Sequence, residues 1–147
     1  MNKARDSFKF HYLLHSADLI HDHLRTQLSP FNLSPQQARV IKALNRMGPV
    51  SQIELAREFG ITAASMSTMT TRLIALNYVS AEKDPVNAKR NLISLTDDGR
   101  ALIADIDQTW AQVDVFMENR IGGDNVDKLA ELTRLLRDSL GGRVPGT

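Results

Sequence analysis

Apolar residues at Phe10, Leu13, Ala17, Ile20, Leu24 and Leu28 recur at intervals of three and four, the stripe of one long amphipathic helix that Phe31-Asn32-Leu33 breaks. Ser34-Pro35-Gln36-Gln37 reads as a capping box with proline at the first helical position. The helix it opens runs to Gly48-Pro49 with Ala38, Ile41 and Leu44 facing inward. Ser51-Gln52-Ile53-Glu54 reads as a second capping box, opening a short helix with Leu55, Ala56 and Phe59 inward that Gly60 stops. Thr62 caps the next helix, in which Met66, Met69, Leu73 and Leu76 recur at three and four up to about Asn77, a residue that accepts the left-handed closing conformation. Two short helices joined by a glycine-containing turn form a helix-turn-helix pattern.

The β-prone runs Tyr78–Lys83 and Asn91–Leu95 bracket the polar loop Asp84–Arg90, which predicts a hairpin. Thr96, followed by Asp97 and Asp98, starts a long helix with Leu102, Ile106, Trp110, Val113 and Met117 on its core side, ending near Gly122-Gly123. Asp124 is expected to cap a last helix bearing Val126, Leu129, Leu132, Leu136 and Leu140, closed by Gly141-Gly142, with Arg143–Thr147 frayed beyond it. The order predicts a mainly α protein with one small β-hairpin. There is no internal repeat, and no linker long enough to divide the 147 residues into separate domains.

Composition narrows the classes. Hydrophobic residues make up 42% and charged residues 24%, ordinary globular usage. The absence of cysteine excludes disulfide scaffolds, thiolate nucleophiles and cysteine-ligated metals, and permits a cytoplasmic location. No run approaches the ~18 apolar residues of a membrane span, and the first residues lack the apolar centre of a signal peptide, so a soluble, cytoplasmic protein is expected. The net charge is only +1. Residues 1–50 carry seven Lys/Arg and three Asp/Glu, residues 51–100 six of each, and residues 101–147 five and eight. Anion binding must therefore rest on local placement rather than on a basic whole.

Local placement singles out the helix after Thr62. At about 100° per residue, Met66, Met69, Thr70, Leu73, Leu76 and Asn77 gather on the core side. Ala64, Thr68, Thr71 and Ala75 centre the opposite side, flanked by Ser67 and Arg72. A merely solvated helix face is usually rich in Lys and Glu, whereas Arg72 is the single charge between Thr62 and Ala75. Small hydroxylated side chains admit a helix closely into a DNA major groove, where hydroxyls bond phosphates or base edges. The four histidines all lie in the first helix. His11, His15, Asp18 and Asp22 fall on one side of it, where either a metal site or simple His–Asp pairing is geometrically open. No nucleophile, metal-protease or phosphate-loop motif is present, so no catalytic residue and no cofactor is expected.

Asp84-Pro85, the basic loop after it, and Leu95-Thr96-Asp97-Asp98-Gly99 together resemble the wing signature of the MarR family of bacterial transcriptional regulators. Ser34-Pro35-Gln36 and Gln52-Ile53-Glu54-Leu55-Ala56 support the resemblance, which extends in order and length over nearly the whole chain. The chain departs from the family at three positions. Asn87 falls where the family has a wing Asp, and Lys89 falls at the minor-groove Arg, with Arg90 one place later. Asn77 stands where Gly is common. Either Lys89 does the wing's work or the loop is re-registered so that Arg90 does.

The resemblance implies a winged helix-turn-helix over residues 34–95, flanked by long dimerisation helices in 1–33 and 96–142. It implies a homodimeric, sequence-specific regulator, a repressor of an inverted-repeat operator in double-stranded DNA. Thr62, Ser65, Ser67, Thr68, Thr71 and Arg72 would lie in the major groove, with Lys89 and Arg90 on the wing. Family effectors bind between the dimerisation helices and the DNA-binding lobe, which makes Tyr12 and His15 candidates for holding a small organic acid. The alternatives are a winged-helix protein–protein module without DNA binding, suggested by the neutral middle third, and a metal-responsive regulator.

Overall fold

A computed structural model describes residues 8–147; residues 1–7, the start of the expected N-terminal dimerisation segment, lie outside the described residues. Helix α1 spans Phe10–Leu28 and ends in a short 3-10 turn, Ser29–Phe31, closed by Asn32 in the left-handed region at φ 58°. Ser34 caps α2 (Pro35–Met47) with the full reciprocal box: its hydroxyl accepts the Gln37 amide at 3.1 Å, and its own amide donates to Gln37 Oε1 at 2.9 Å. Such caps are worth about 1 kcal/mol each. Helix α3 covers Gln52–Phe59 and α4 covers Ala63–Ala75. The expected box at Ser51 is only half made. Ser51 accepts the Glu54 amide at 3.2 Å, but the Glu54 carboxylate turns instead to Arg90.

The hairpin has the expected strands, β2 (Val79–Lys83) and β3 (Asn91–Leu95), paired antiparallel from Val79 opposite Leu95 to Lys83 opposite Asn91. A third strand completes the sheet. β1, only Val50–Ser51, pairs with Ile93 and Leu92, giving the order β1-β3-β2. Two residues carry no readable period, which is why the pattern of the sequence does not reveal it. Helix α5 runs over Asp97–Ile121 from the Thr96 cap, and α6 over Gly123–Ser139. Asp124 lies inside the first turn of α6 rather than at its cap, which is Gly122. There the carboxylate still favours the helix dipole.

One core holds these elements together. Leu28 from α1, Ile41 and Leu44 from α2, Leu55, Met66, Leu73, Ile93 and Ile106 are all essentially buried. Trp110, expected in that core, is only partly buried at its edge. The turn from α4 into β2 is knotted to the start of α5. Asn77 takes φ 62° and donates to Asp98 at 2.8 Å, while the Thr96 hydroxyl donates to the Asn77 carbonyl at 2.6 Å. The Tyr78 carbonyl accepts the Thr96 amide at 3.1 Å, and a Cβ on Gly99 would stand 2.0 Å from that same oxygen. Glycine in the Leu-Thr-x-x-Gly run is therefore demanded by close approach, with no unusual dihedral involved.

The terminal helices contrast with this. Among the described residues, Leu28 is the sole buried residue of α1 and Val126 that of α6. The α6 stripe lies open, with Leu132 63% and Leu140 77% exposed. The tail expected to fray does not. Pro145 is buried, and Arg46 of α2 donates to its carbonyl at 2.5 and 3.2 Å. No helix among the described residues is long and apolar enough to cross a membrane.

Candidate nucleic-acid interface

The α3–turn–α4 unit is set by Gly60, left-handed at φ 62°, and by Thr62. The Thr62 hydroxyl accepts the Ser65 amide at 3.1 Å and donates to Ser65 Oγ at 2.9 Å. Helix α4 buries Met66, Thr70 and Leu73, as its spacing predicts, and leaves Ala64, Ser67, Thr68, Thr71, Arg72 and Ala75 exposed. Asn77, expected on the core side, is exposed and engaged with Asp98. Buried Thr70 keeps its hydroxyl satisfied by the Ser67 carbonyl at 3.1 Å, with Gln52 Oε1 at 3.4 Å. Gln52 also reaches the Ala63 carbonyl at 3.5 Å, so this side chain joins α3 to α4. That role is hidden in the Gln-x-Glu-Leu-Ala run until the helices are seen side by side.

The predicted α4 residues differ in how free they are. Thr62 and Ser65 are committed to each other at the cap, and Thr68 bonds the Ala64 carbonyl at 3.2 Å. The side chains of Ser67, Thr71 and Arg72 are exposed and meet no polar partner among the described residues. The result is a shallow, hydroxylated surface with one unpaired guanidinium.

In the wing, Asn87 does the organising. Its Oδ1 accepts the Lys89 amide at 3.1 Å and its carbonyl accepts the Arg90 amide at 2.9 Å, while Asp84 Oδ1 accepts the Val86 amide at 2.9 Å. These turn bonds need an acceptor oxygen but no charge, so an amide serves. Arg90 bends back to Glu54 of α3 at 3.2 Å, and Lys89 is exposed with no partner among the described residues. The sheet that carries the wing packs against both α3 and α4.

A second concavity, about 390 Å³, lies where α1, α2 and α5 meet the tail. His21 and Leu24 of α1, Pro35, Arg39, Lys42 and Arg46 of α2, Trp110, Val113 and the acidic Asp114 of α5, Arg137 of α6 and Arg143–Pro145 line it, five cations against one carboxylate. Lys42 pairs with Asp107 and lies 5.6 Å over the Trp110 ring. Arg39 lies 5.6 Å over Phe59 and, like Arg46, has no carboxylate partner among the described residues. Neither Tyr12 nor His15 is brought there. Tyr12, 59% exposed, borders a broader groove between α1, α5 and α6, and His15 is exposed and lines neither concavity. The basic lining escapes sequence inspection because Arg39, Lys42 and Arg46 read as ordinary charges of one helix until Trp110 and the distant Arg143–Pro145 fold against them. His11, His15, Asp18 and Asp22 do not converge: among the described residues no three His, Asp or Glu side chains are placed to hold a metal ion, and Asp22 pairs with Arg25 at 2.7 Å.

Comparison with known proteins matches residues 31–90 to the MarR family model. The multiple antibiotic resistance protein MarR of Salmonella typhimurium is 25% identical over 117 residues, 80% of each chain. Among solved structures, the transcriptional repressor CouR bound to a 23-mer DNA duplex superposes with a TM-score of 0.81 at 23% identity, covering 92% of this chain and 97% of that one. A mutant MarR from E. coli complexed with operator DNA gives 0.75 at 19% identity, covering 92% and 99%.

Proposed function

We propose that the chain is a transcriptional regulator of the MarR family, whose model its residues 31–90 match, and that it is a cytoplasmic, homodimeric repressor that binds an inverted-repeat operator and is released by a small organic acid. Residues 34–95 form the DNA-binding lobe in this reading, and the helices of 1–33 and 96–142 join two copies. The observation that carries it is the exposed face of α4, small and hydroxylated with Arg72 as its one cation. Ser67, Thr68, Thr71 and Arg72 meet base edges and phosphates, and Thr62 and Ser65 shape the helix start that points toward a phosphate. Lys89 is the wing residue that enters the minor groove, because Arg90 is held by Glu54. Two DNA-bound structural neighbours favour this over a protein–protein module. A gel shift on the region upstream of the protein's own gene tests it: salt-sensitive binding to one inverted repeat is expected, and binding no tighter than to random duplex rejects it.

The effector site in this reading is the junction concavity, which neither Tyr12 nor His15 lines. Arg39 and Arg46 offer guanidinium groups to a carboxylate, and Leu24, Val113 and Trp110 offer an apolar wall to its body. Such a ligand lowers operator affinity only as far as it prefers a lobe position that DNA does not accept.

A further inference from the structure

The end of the chain does more than close the fold. After Gly141 turns it at φ 79°, residues 143–147 cross from the end of α6 to α2 and α3. Arg143 Nη2 donates to Glu58 Oε1 at 2.7 Å, and the Gly146 amide donates to Glu58 Oε2 at 3.0 Å. Arg46 holds the Pro145 carbonyl through two N–H groups. Gly146 adopts φ 82° with its Cα against Met47, where a Cβ would approach Cγ to 3.0 Å. Helix α6 otherwise packs chiefly on α5, so this strap is where the C-terminal arm grips the first helix of the helix-turn-helix. Arg143, Val144 and Pro145 of the strap, with Arg46, also wall the junction concavity.

We propose that residues 143–147 are an effector-dependent strap: an organic anion with an apolar body, seated in the junction concavity, is held partly by the strap and so fastens α3 to the α6 arm. The proposal rests on the concavity being the effector site. A guanidinium has five N–H donors. Arg46 uses Nε and Nη2 on Pro145, and Arg143 uses its two Nη groups on Glu58 and Thr147, so both keep N–H groups for a carboxylate while the strap stays docked. Val144 and Pro145 cover the ligand's apolar part. A ligand that touches the strap in its docked position must stabilise that position, and one bound only to α1, α2 and α5 would not.

Trp110, the chain's single tryptophan, reports on the concavity. Its fluorescence is titrated with benzoate and with phenylbutyrate in the full chain, in Glu58→Ala, and in a chain ended after Gly142. Glu58 is outside the concavity, so any loss of affinity in that variant travels through the strap. Both changes are expected to weaken binding at least about fivefold, and either ligand should raise amide-exchange protection at Gly146 in the full chain. Equal affinity in all three proteins overturns the proposal, as does a Gly146 amide that exchanges freely with and without ligand. No Trp110 response in the full chain to either acid also overturns it. Gel shift without ligand reports separately on DNA binding, so failure of one reading is distinguishable from failure of the other.

Discussion

Residues 34–95 and the two terminal helices solve the problem of apolar surface in opposite ways. In the first region each amphipathic element finds its partner within the chain: α2, α3, α4 and the sheet bury Ile41, Leu55, Met66, Leu73 and Ile93 against one another. In the second, α1 and α6 bury one residue apiece and leave leucines open along their length. Leu132 and Leu135 on α6, Leu140 at its C-cap, and Leu14 and Leu19 on α1 are each more than half exposed. Apolar surface of this extent marks an interaction site, and the proposed reading assigns it to a second copy of the chain. The lobe covers its own apolar residues and shows a polar α4 face, whereas the arms leave their apolar faces open.

The largest expected effect therefore comes from the arms. Leu132→Asp with Leu136→Asp should give monomers by light scattering and lower operator affinity on the order of 10²–10⁴-fold, since one lobe alone loses the linked second half-site. A dimer that survives both charges would put the interface elsewhere. Next is the packing of the lobe onto α5. Alanine is normally better than glycine within a helix, but at Gly99 its Cβ meets the Tyr78 carbonyl. Gly99→Ala should lower the melting free energy by about 1–3 kcal/mol or more, and a rise in melting temperature would refute the close-approach argument.

On the exposed α4 face proposed to meet DNA, Arg72→Ala and Thr68→Ala should each weaken operator binding by about 1–3 kcal/mol where the contact is to a base edge, with melting temperature unchanged. The wing offers a finer comparison. Lys89→Ala should reduce the slope of log affinity against log salt by about 0.9, whereas Arg90→Ala should change it less, because Glu54 already neutralises that charge in the free protein. The reverse order would mean that the wing re-registers on DNA.

The smallest effect is a pH dependence of the strap. The Gly146 amide and the Arg143 guanidinium hold the Glu58 carboxyl below its ordinary value of about 4.5. A carboxylate lowered in the folded state contributes stability above the unfolded value, and that contribution is lost as pH falls through the folded one. Amide exchange at Gly146, corrected for its intrinsic pH dependence, should accelerate selectively on acidification below about pH 4.5, and Glu58→Gln should flatten the response.

How far the chain could be read before folding depended on the range of the interactions. The caps at Ser34, Ser51, Thr62 and Thr96 were readable because each acts within three residues, and the α4 faces because a helix repeats every 3.6 residues or so. β1 was unreadable because a two-residue strand exists only through its pairing with Ile93 and Leu92. The second half of the Ser51 box failed because Glu54 found Arg90, 36 residues away. The tail looked frayed because its anchor, Glu58, is 85 residues from Arg143. The basic concavity was invisible for the same reason: Arg39 and Arg46 look like ordinary surface charges on α2 until Trp110 and Pro145 are folded against them.

The central claim is that α4 and the wing of a dimer read DNA, and one titration tests it most directly. Wild type and the fourfold variant Thr68→Ala, Arg72→Ala, Lys89→Ala, Arg90→Ala are compared by fluorescence anisotropy on a duplex carrying the upstream inverted repeat, with light scattering run on both. The account predicts two folded dimers, of which the wild type alone binds the repeat more tightly than random duplex. A dimeric variant that binds the repeat as tightly as wild type would contradict it.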